Sequence, residues 1–129
     1  MKIALITDQH LDGRKGNINF WNYFQKFYDN IFFPTLEKEG ITTIIDLGDT
    51  FDNRKSMDYN TFNRVDANYF RRLVNYDVHM LLGNHCTYYK NTNAINSPEL
   101  LLEKYSNITI YSEPKNVKLG NKKFLMMPW

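Results

Sequence analysis

Cysteine is almost absent from this chain: Cys86 is the single thiol in 129 residues. One thiol excludes an internal disulfide and a thiolate cage for zinc, and it fits a reducing, cytoplasmic setting. Long apolar runs are absent too. Met1-Lys2-Ile3-Ala4-Leu5-Ile6 reaches Asp8 at once, too short for a secretory leader or a bilayer span, so no membrane partner is expected. Neither sign of charge dominates. Sixteen Lys and Arg against 14 Asp and Glu leave a net +2, so any binding of a polyanion has to rest on local groups. No repeat, linker or low-complexity segment breaks the chain. What is present is core material: 43% apolar and 16% aromatic residues exclude disorder and suffice for a single domain of residues 1–129.

The organising stretch is Ile44-Ile45-Asp46-Leu47-Gly48-Asp49-Thr50-Phe51-Asp52-Asn53-Arg54-Lys55. Thr42 to Leu47 is β-branched and apolar enough for a strand covered on both faces, and ligands of open α/β sheets sit beyond the carboxyl ends of such strands. Gly48 lets the backbone turn there without a Cβ clash. The same grammar recurs twice. Residues 2–7 run into Asp8-Gln9-His10, and residues 78–82 run into Gly83-Asn84-His85. One Asp at a strand end is ordinary turn chemistry. Three strand ends bearing D-x-H, G-D-x-x-D and G-N-H, in that order, point to a shared site.

Between these strands the pattern predicts helices. Phe24, Phe27, Tyr28, Ile31 and Leu36 recur at helical spacing over residues 20–38, with Pro34 expected to kink or divide the helix and Gly40 to end it. A second helix is expected over 59–75, burying Phe62, Val65, Tyr69 and Leu73, with Arg64, Arg71 and Arg72 on its solvated side. Ser97-Pro98-Glu99 opens a short helix, with Ser97 as the expected N-cap. Residues 108–111 form a fourth strand, and 117–119 with 124–127 a hairpin through Gly120-Asn121. The alternation predicts an α/β fold with a largely parallel first sheet.

Asp, His and Asn donors without thiolate suit a borderline-hard divalent ion such as manganese, iron or zinc. An Asp between two ligand clusters can bridge two ions, and a pair of ions clamps the attacking and leaving oxygens of a phosphoryl displacement. Asp8-x-His10, Gly48-Asp49-x-x-Asp52 and Gly83-Asn84-His85 resemble the opening motifs of the calcineurin-like metallophosphoesterases. Within that superfamily, Gly48 to Lys55, Tyr88-Tyr89-Lys90-Asn91 and Met127-Pro128-Trp129 are similar to the SbcD-type nucleases, and among these to the recombination endonuclease subunits of T-even-like phages and cyanophages. The resemblance runs along the whole chain.

The resemblance implies an α/β/β/α sandwich of which this chain is the N-terminal half. It implies Asp8 and His10 as ligands of a first metal ion, Asp49 as the bridge, and Asn84 as a ligand of the second. His85 would stand beside the scissile phosphate, and Asp52 would orient a ligand or the substrate. Two manganese ions, DNA as substrate, an SbcC-type coiled-coil ATPase as partner, a homodimer as a further assembly and, for a phage gene, the host cytoplasm as location follow from the same likeness. Rival readings are a metallophosphoesterase acting on small phosphate esters and a non-catalytic module that binds the ATPase.

Two departures from the family pattern stand out. The G-H-x-H histidines of the second half of the domain are not among these residues, so the 129 residues alone are expected to hold metal weakly. The residue after the G-N-H histidine is usually acidic, and Cys86 stands there. A thiol is a poor hydrogen-bond partner, so His85 is expected to lack an orienting group, and an acid at 86 to restore it. Other groups read either way. Arg54 and Lys55 fit a solvated loop as well as contacts to DNA phosphate. Tyr88 and Tyr89 fit a core as well as stacking on an unpaired base. His79, inside an apolar strand, reads as a structural histidine, and the lysines at 115, 118, 122 and 123 read as solubilising charges on a hairpin.

Overall fold

A computed structural model describes residues 1–129. Four parallel strands, β1 (Ile3–Ile6), β2 (Thr43–Asp46), β3 (Asp77–Leu81) and β4 (Ile108–Tyr111), pair in the order β1-β2-β3-β4. An antiparallel hairpin, β5 (Lys115–Leu119) and β6 (Lys122–Met126), turns at Gly120-Asn121 as the sequence predicts. Alternation along β2 sends Ile44 to one face and Ile45 to the other. Ile44, Val78, Met80 and Ile108 pack under the helices with Trp21, Tyr28, Phe51, Tyr69 and Phe70. Ile45, Leu81 and Tyr111 pack against Leu119 and Met126 of the hairpin. The result is an α/β fold of three layers: helices, parallel sheet, hairpin.

The long helix over 20–38 divides as Pro34 requires, but by a device the spacing did not reveal. Helix α2 (Ile18–Phe27) follows the short turn α1 (Gly13–Gly16) and passes into a π-turn over Tyr28–Phe32 before α3 (Phe33–Glu39). The Phe33 N–H bonds to the Tyr28 carbonyl, five residues back. This wider turn re-registers the chain where proline can neither donate nor tolerate the carbonyl four residues before it. The helix expected over 59–75 also splits, into α4 (Tyr59–Asn68) and a 3₁₀ turn (Phe70–Leu73). Its arginines are not simply solvated. Arg64 donates to the Gly16 carbonyl at 2.9 Å, and Arg72 lies over the Phe33 ring and pairs with Asp29. Helix α5 (Ser97–Leu101) is capped by Asn96 rather than Ser97. Asn96 Oδ1 accepts the Glu99 N–H at 2.9 Å while Asn96 Nδ2 donates to the Glu99 carboxylate, also at 2.9 Å. That reciprocity outcompetes a hydroxyl.

His79 is buried and satisfied. Its Nε2 faces the Asp77 carboxylate at 3.0 Å and its Nδ1 the Tyr111 hydroxyl at 2.6 Å. No helix is long and apolar enough to cross a membrane.

Candidate metal centre

The carboxyl ends of β1, β2 and β3 lie side by side, and the parallel pairing continues past them into the loops. The Asp8 N–H donates to the Gly48 carbonyl at 3.0 Å, His10 to Asp49 at 3.0 Å, and Leu11 to Thr50 at 2.9 Å. This stitching fixes the spacing between the D-x-H and G-D-x-x-D segments. It also bends the chain sharply: Asp8, His10 and Asp49 have φ of 51°, 45° and 53°. Non-glycine residues in that region cost on the order of 1–3 kcal/mol each and persist where the surroundings hold them, typically at functional sites.

Two glycines make the close approach possible. At Gly48, φ is 111°, and a Cβ would meet the Gly83 nitrogen at 2.9 Å. At Gly83 a Cβ would stand 2.1 Å from Asp49 Oδ1 and 2.3 Å from the Asp49 nitrogen. The G-N-H segment can therefore lie directly on Asp49, whose Oδ1 accepts the His85 N–H at 2.9 Å.

Donor atoms of Asp8, His10 and Asp49 come within 4.8 Å of one another, as do those of His10, Asp52 and His85. Hydrogen bonding separates the two groups. His10 Nδ1 lies 2.9 Å from Asp52 Oδ1. An ionised carboxylate only accepts, so the proton sits on Nδ1 and the Nε2 lone pair is free. That Nε2 is 3.8 Å from Asp8 Oδ1. Asp52 thus orients His10 as a carboxylate orients a metal-ligating histidine, while Asp8, His10 Nε2 and Asp49 form an open oxygen–nitrogen donor set that fits a divalent ion.

His85 packs edge-on against His10, with ring centroids 5.1 Å apart. Its Nδ1 is 3.0 Å from the Asp52 backbone carbonyl and 3.9 Å from Asp52 Oδ1. The orienting group that the sequence reading found missing is therefore supplied by Asp52. Cys86 points elsewhere: it is fully buried, and burial pushes its thiol up against the opposing influence of the Gly83, Phe51 and Thr50 amides. Asn84 lies with Asp8 and Asp49 along a cleft of about 420 Å³, closed on one side by Met127, Pro128 and Trp129. A larger cleft of about 560 Å³ on the other side of Asp8 is walled largely by Tyr23, Phe24 and Phe27, with Lys26 as its one cation. Arg54 and Lys55 diverge in use. Arg54 donates to the Thr87 carbonyl at 3.3 Å and its hydroxyl at 3.2 Å, whereas Lys55 is exposed over the Tyr88 ring.

Two carboxylates that sequence reasoning passed over brace this arrangement. Asp12 is buried and accepts the backbone N–H groups of Asp52 and Asn53 together with the Asn53 side-chain amide. Asp46, inside β2, accepts from Gln9 at 2.8 Å, Thr50 at 2.8 Å and the Gly48 N–H at 3.0 Å. Gln9 in turn accepts from the Tyr28 hydroxyl at 2.8 Å, tying the site to the aromatic core. Burial raises the Asp46 carboxyl to about 6, against the pull of its three donors. The signal was present in both cases: Asp46 is a lone acid in an apolar strand, and Asp12 falls two residues after His10.

Two comparisons bear on this site. The sequence model of the family described as calcineurin-like phosphoesterase matches residues 1–128. Over 99 residues the chain is 33% identical to exonuclease subunit 1 of Enterobacteria phage T4, an alignment covering 72% of this chain and 28% of that protein.

Proposed function

Because the chain belongs to the calcineurin-like phosphoesterase family, we propose that it is the metal-binding portion of a nuclease that hydrolyses phosphodiester bonds in DNA. The observation that carries this reading is the meeting of Asp8, His10 and Asp49 within 4.8 Å on the strained backbone beyond two adjacent strand ends, those of β1 and β2. The family uses divalent metals; the oxygen–nitrogen donor set suits manganese, iron or zinc, and the likeness to the SbcD-type nucleases favours manganese among them. Bound ions would supply Lewis-acid stabilisation of the phosphate oxygens and activation of the attacking water.

This chain's own residues take the following parts. Asp8 and His10 Nε2 would hold a first ion, Asp49 would serve both ions, and Asn84 would serve the second. Asp52 fixes the His10 tautomer. His85, its Nδ1 proton anchored on the Asp52 carbonyl, keeps Nε2 for service as proton donor or charge stabiliser of the leaving oxygen. The phage relative's name supports the nucleic-acid substrate. Its designation as a subunit supports a partner, which we assign as an SbcC-type ATPase in a recombination or repair complex. The domain is read as the N-terminal portion of an α/β/β/α sandwich, whose second sheet begins with β5 and β6.

The test is hydrolysis by the 129-residue chain, with and without manganese, of single-stranded DNA, bis(p-nitrophenyl) phosphate and p-nitrophenyl phosphate, alongside calorimetric titration with manganese. Weak, manganese-dependent cleavage of the two diesters is expected, with both ions lost in Asp49→Asn. Faster turnover of the monoester than of either diester would transfer the site to small phosphate esters. Undiminished stoichiometry and affinity in Asp49→Asn would remove the bridging role.

A further inference from the structure

Beside the metal centre lies a third cleft that the hydrolytic residues do not use. It has a volume of about 170 Å³ and runs between the segment Asn53 to Met57, directly after Asp52, and helix α5. Tyr88, Ile95, Leu100 and Leu101 supply most of its apolar wall. Whole-ligand pockets run to roughly 300–1,000 Å³, so this one takes a fragment of a ligand rather than all of it. Its lining includes Arg54 and Lys55 but no carboxylate, which suits a polyanion.

The aromatic wall is built rather than incidental. Arg54 staples the Thr87 loop to the segment after Asp52, and the Tyr88 N–H is held by the Ile95 carbonyl at 2.9 Å. Tyr89 braces Tyr88 edge-on, with centroids 4.7 Å apart. Lys55 Nζ lies over the Tyr88 ring, 5.3 Å from its centroid, on an exposed side chain that a stacking base would displace toward its own phosphate. Asn53 gives its amide to Asp12 and keeps its Oδ1 uncommitted. Around the mouth, Tyr89, Ile95 and Leu100 are exposed, a concentration of apolar surface next to a polar site.

We propose that this cleft receives one unpaired base of a single-stranded nucleic acid, stacked on Tyr88, with Lys55 on the adjoining phosphate. The proposal rests on the nuclease reading given above and adds a subsite to it. A ring face beside a cation, in a space too small for a base pair and next to the residues that would hold the reacting phosphate, is the combination by which single strands are gripped without sequence preference. It also implies that the preferred substrate carries unpaired nucleotides at the scissile position.

The test is a titration in EDTA, so that its result does not depend on hydrolysis. The 129-residue chain is added to a single-stranded oligothymidylate in which 2-aminopurine replaces alternate bases, and to a strand of the same length that is abasic throughout. Binding with quenching of the 2-aminopurine is expected. Tyr88→Leu should bind the base-containing strand roughly 5- to 150-fold more weakly and lose the quenching, while Tyr88→Phe keeps both. On the abasic strand the wild type and Tyr88→Leu should bind alike. Lys55→Ala, at an exposed position, should weaken both strands and reduce the salt slope by about one. Equal losses for Tyr88→Leu on the two strands, or no quenching by the wild type, would overturn the subsite. Unchanged strand binding in both Tyr88→Leu and Leu100→Glu would do the same. Failure of the nuclease reading is separate: it shows as absence of manganese-dependent hydrolysis of bis(p-nitrophenyl) phosphate, a diester without a base.

Discussion

Gly83 lies against Asp49 with no space for a methyl group between them: a Cβ on Gly83 would stand 2.1 Å from Asp49 Oδ1. The contact joins two of the three strand ends. It also aims the His85 N–H at Asp49 Oδ1, leaving the other carboxylate oxygen for a ligand. Gly83→Ala must push one loop off the other. Overpacking of this kind costs about 1–3 kcal/mol. Urea unfolding should report that loss, and manganese titration should show weaker binding through a displaced Asp49. Gly40→Ala is the control: its φ is 64°, so it also carries backbone strain, but nothing lies within 4 Å. It should lose stability without losing metal affinity.

Asp52 holds His10 from behind, and partners of that kind are worth about 10- to 100-fold in metal affinity. Asp52→Ala should cost that much in a manganese titration. Asp52→Asn should cost less, because its carbonyl oxygen can still accept the Nδ1 proton and keep Nε2 aimed at Asp8. Equal losses in the two variants would mean that the charge of Asp52, rather than its hold on the ring, supports the ion.

Much of this architecture was legible beforehand, and the reasons are local. A β-branched run ending in Gly-Asp reads as a buried strand feeding a loop, and three such endings converge because a parallel sheet puts the same ends of its strands on one side. Periodicity found the helices. It could not find the π-turn at Tyr28 to Phe32, since hydrophobic spacing hardly distinguishes one widened turn from a continuous helix. Nor could it choose Asn96 over Ser97, because the decision lay in the reciprocal pairing with Glu99. The roles of Asp12 and Asp46 stayed hidden for a different reason. Asp12 acts on backbone groups 40 and 41 positions away, and Asp46, although Gly48 and Thr50 are near it in the chain, takes its third donor from Gln9, 37 positions back beyond β1, so no short window contains either set of partners whole.

Asp46 predicts a pH dependence. Its folded carboxyl titrates at about 6, chiefly because it is buried, whereas an unfolded Asp titrates near 3.9. A raised acid binds its proton more tightly in the folded state. Its contribution to stability is therefore complete below about pH 4 and is lost as pH rises through 6. Two units correspond to roughly 3 kcal/mol. Asp46→Asn cannot ionise and keeps an oxygen for the Gly48 N–H. In EDTA, urea midpoints should show the wild type losing stability relative to Asp46→Asn between pH 4.5 and 7.5. Parallel profiles would mean that Asp46 stays ionised in the folded chain throughout that range.

Cys86 provides the last prediction, because the family places an acid where this chain has a thiol next to His85. The His85 ring is held by the Asp52 carbonyl at 3.0 Å, on the opposite loop from Cys86. Residue 86 is instead enclosed, with its side chain toward the amides of Gly83, Phe51 and Thr50 and its carbonyl accepting the Ser97 N–H at 2.9 Å. A carboxylate introduced there would meet those amides, but it would also be desolvated and would face the charge of Asp49. Cys86→Asp should therefore act on folding rather than on proton transfer. Stability should fall by about 1–3 kcal/mol near pH 8, and by less at pH 5 where the acid can be protonated. The pH profile of manganese-dependent diester hydrolysis between pH 6 and 9 should keep its shape, since the partner of His85 is untouched. A faster reaction with a shifted profile in Cys86→Asp, at unchanged manganese affinity, would show that position 86 does reach the histidine and that the Asp52 carbonyl is not its governing partner.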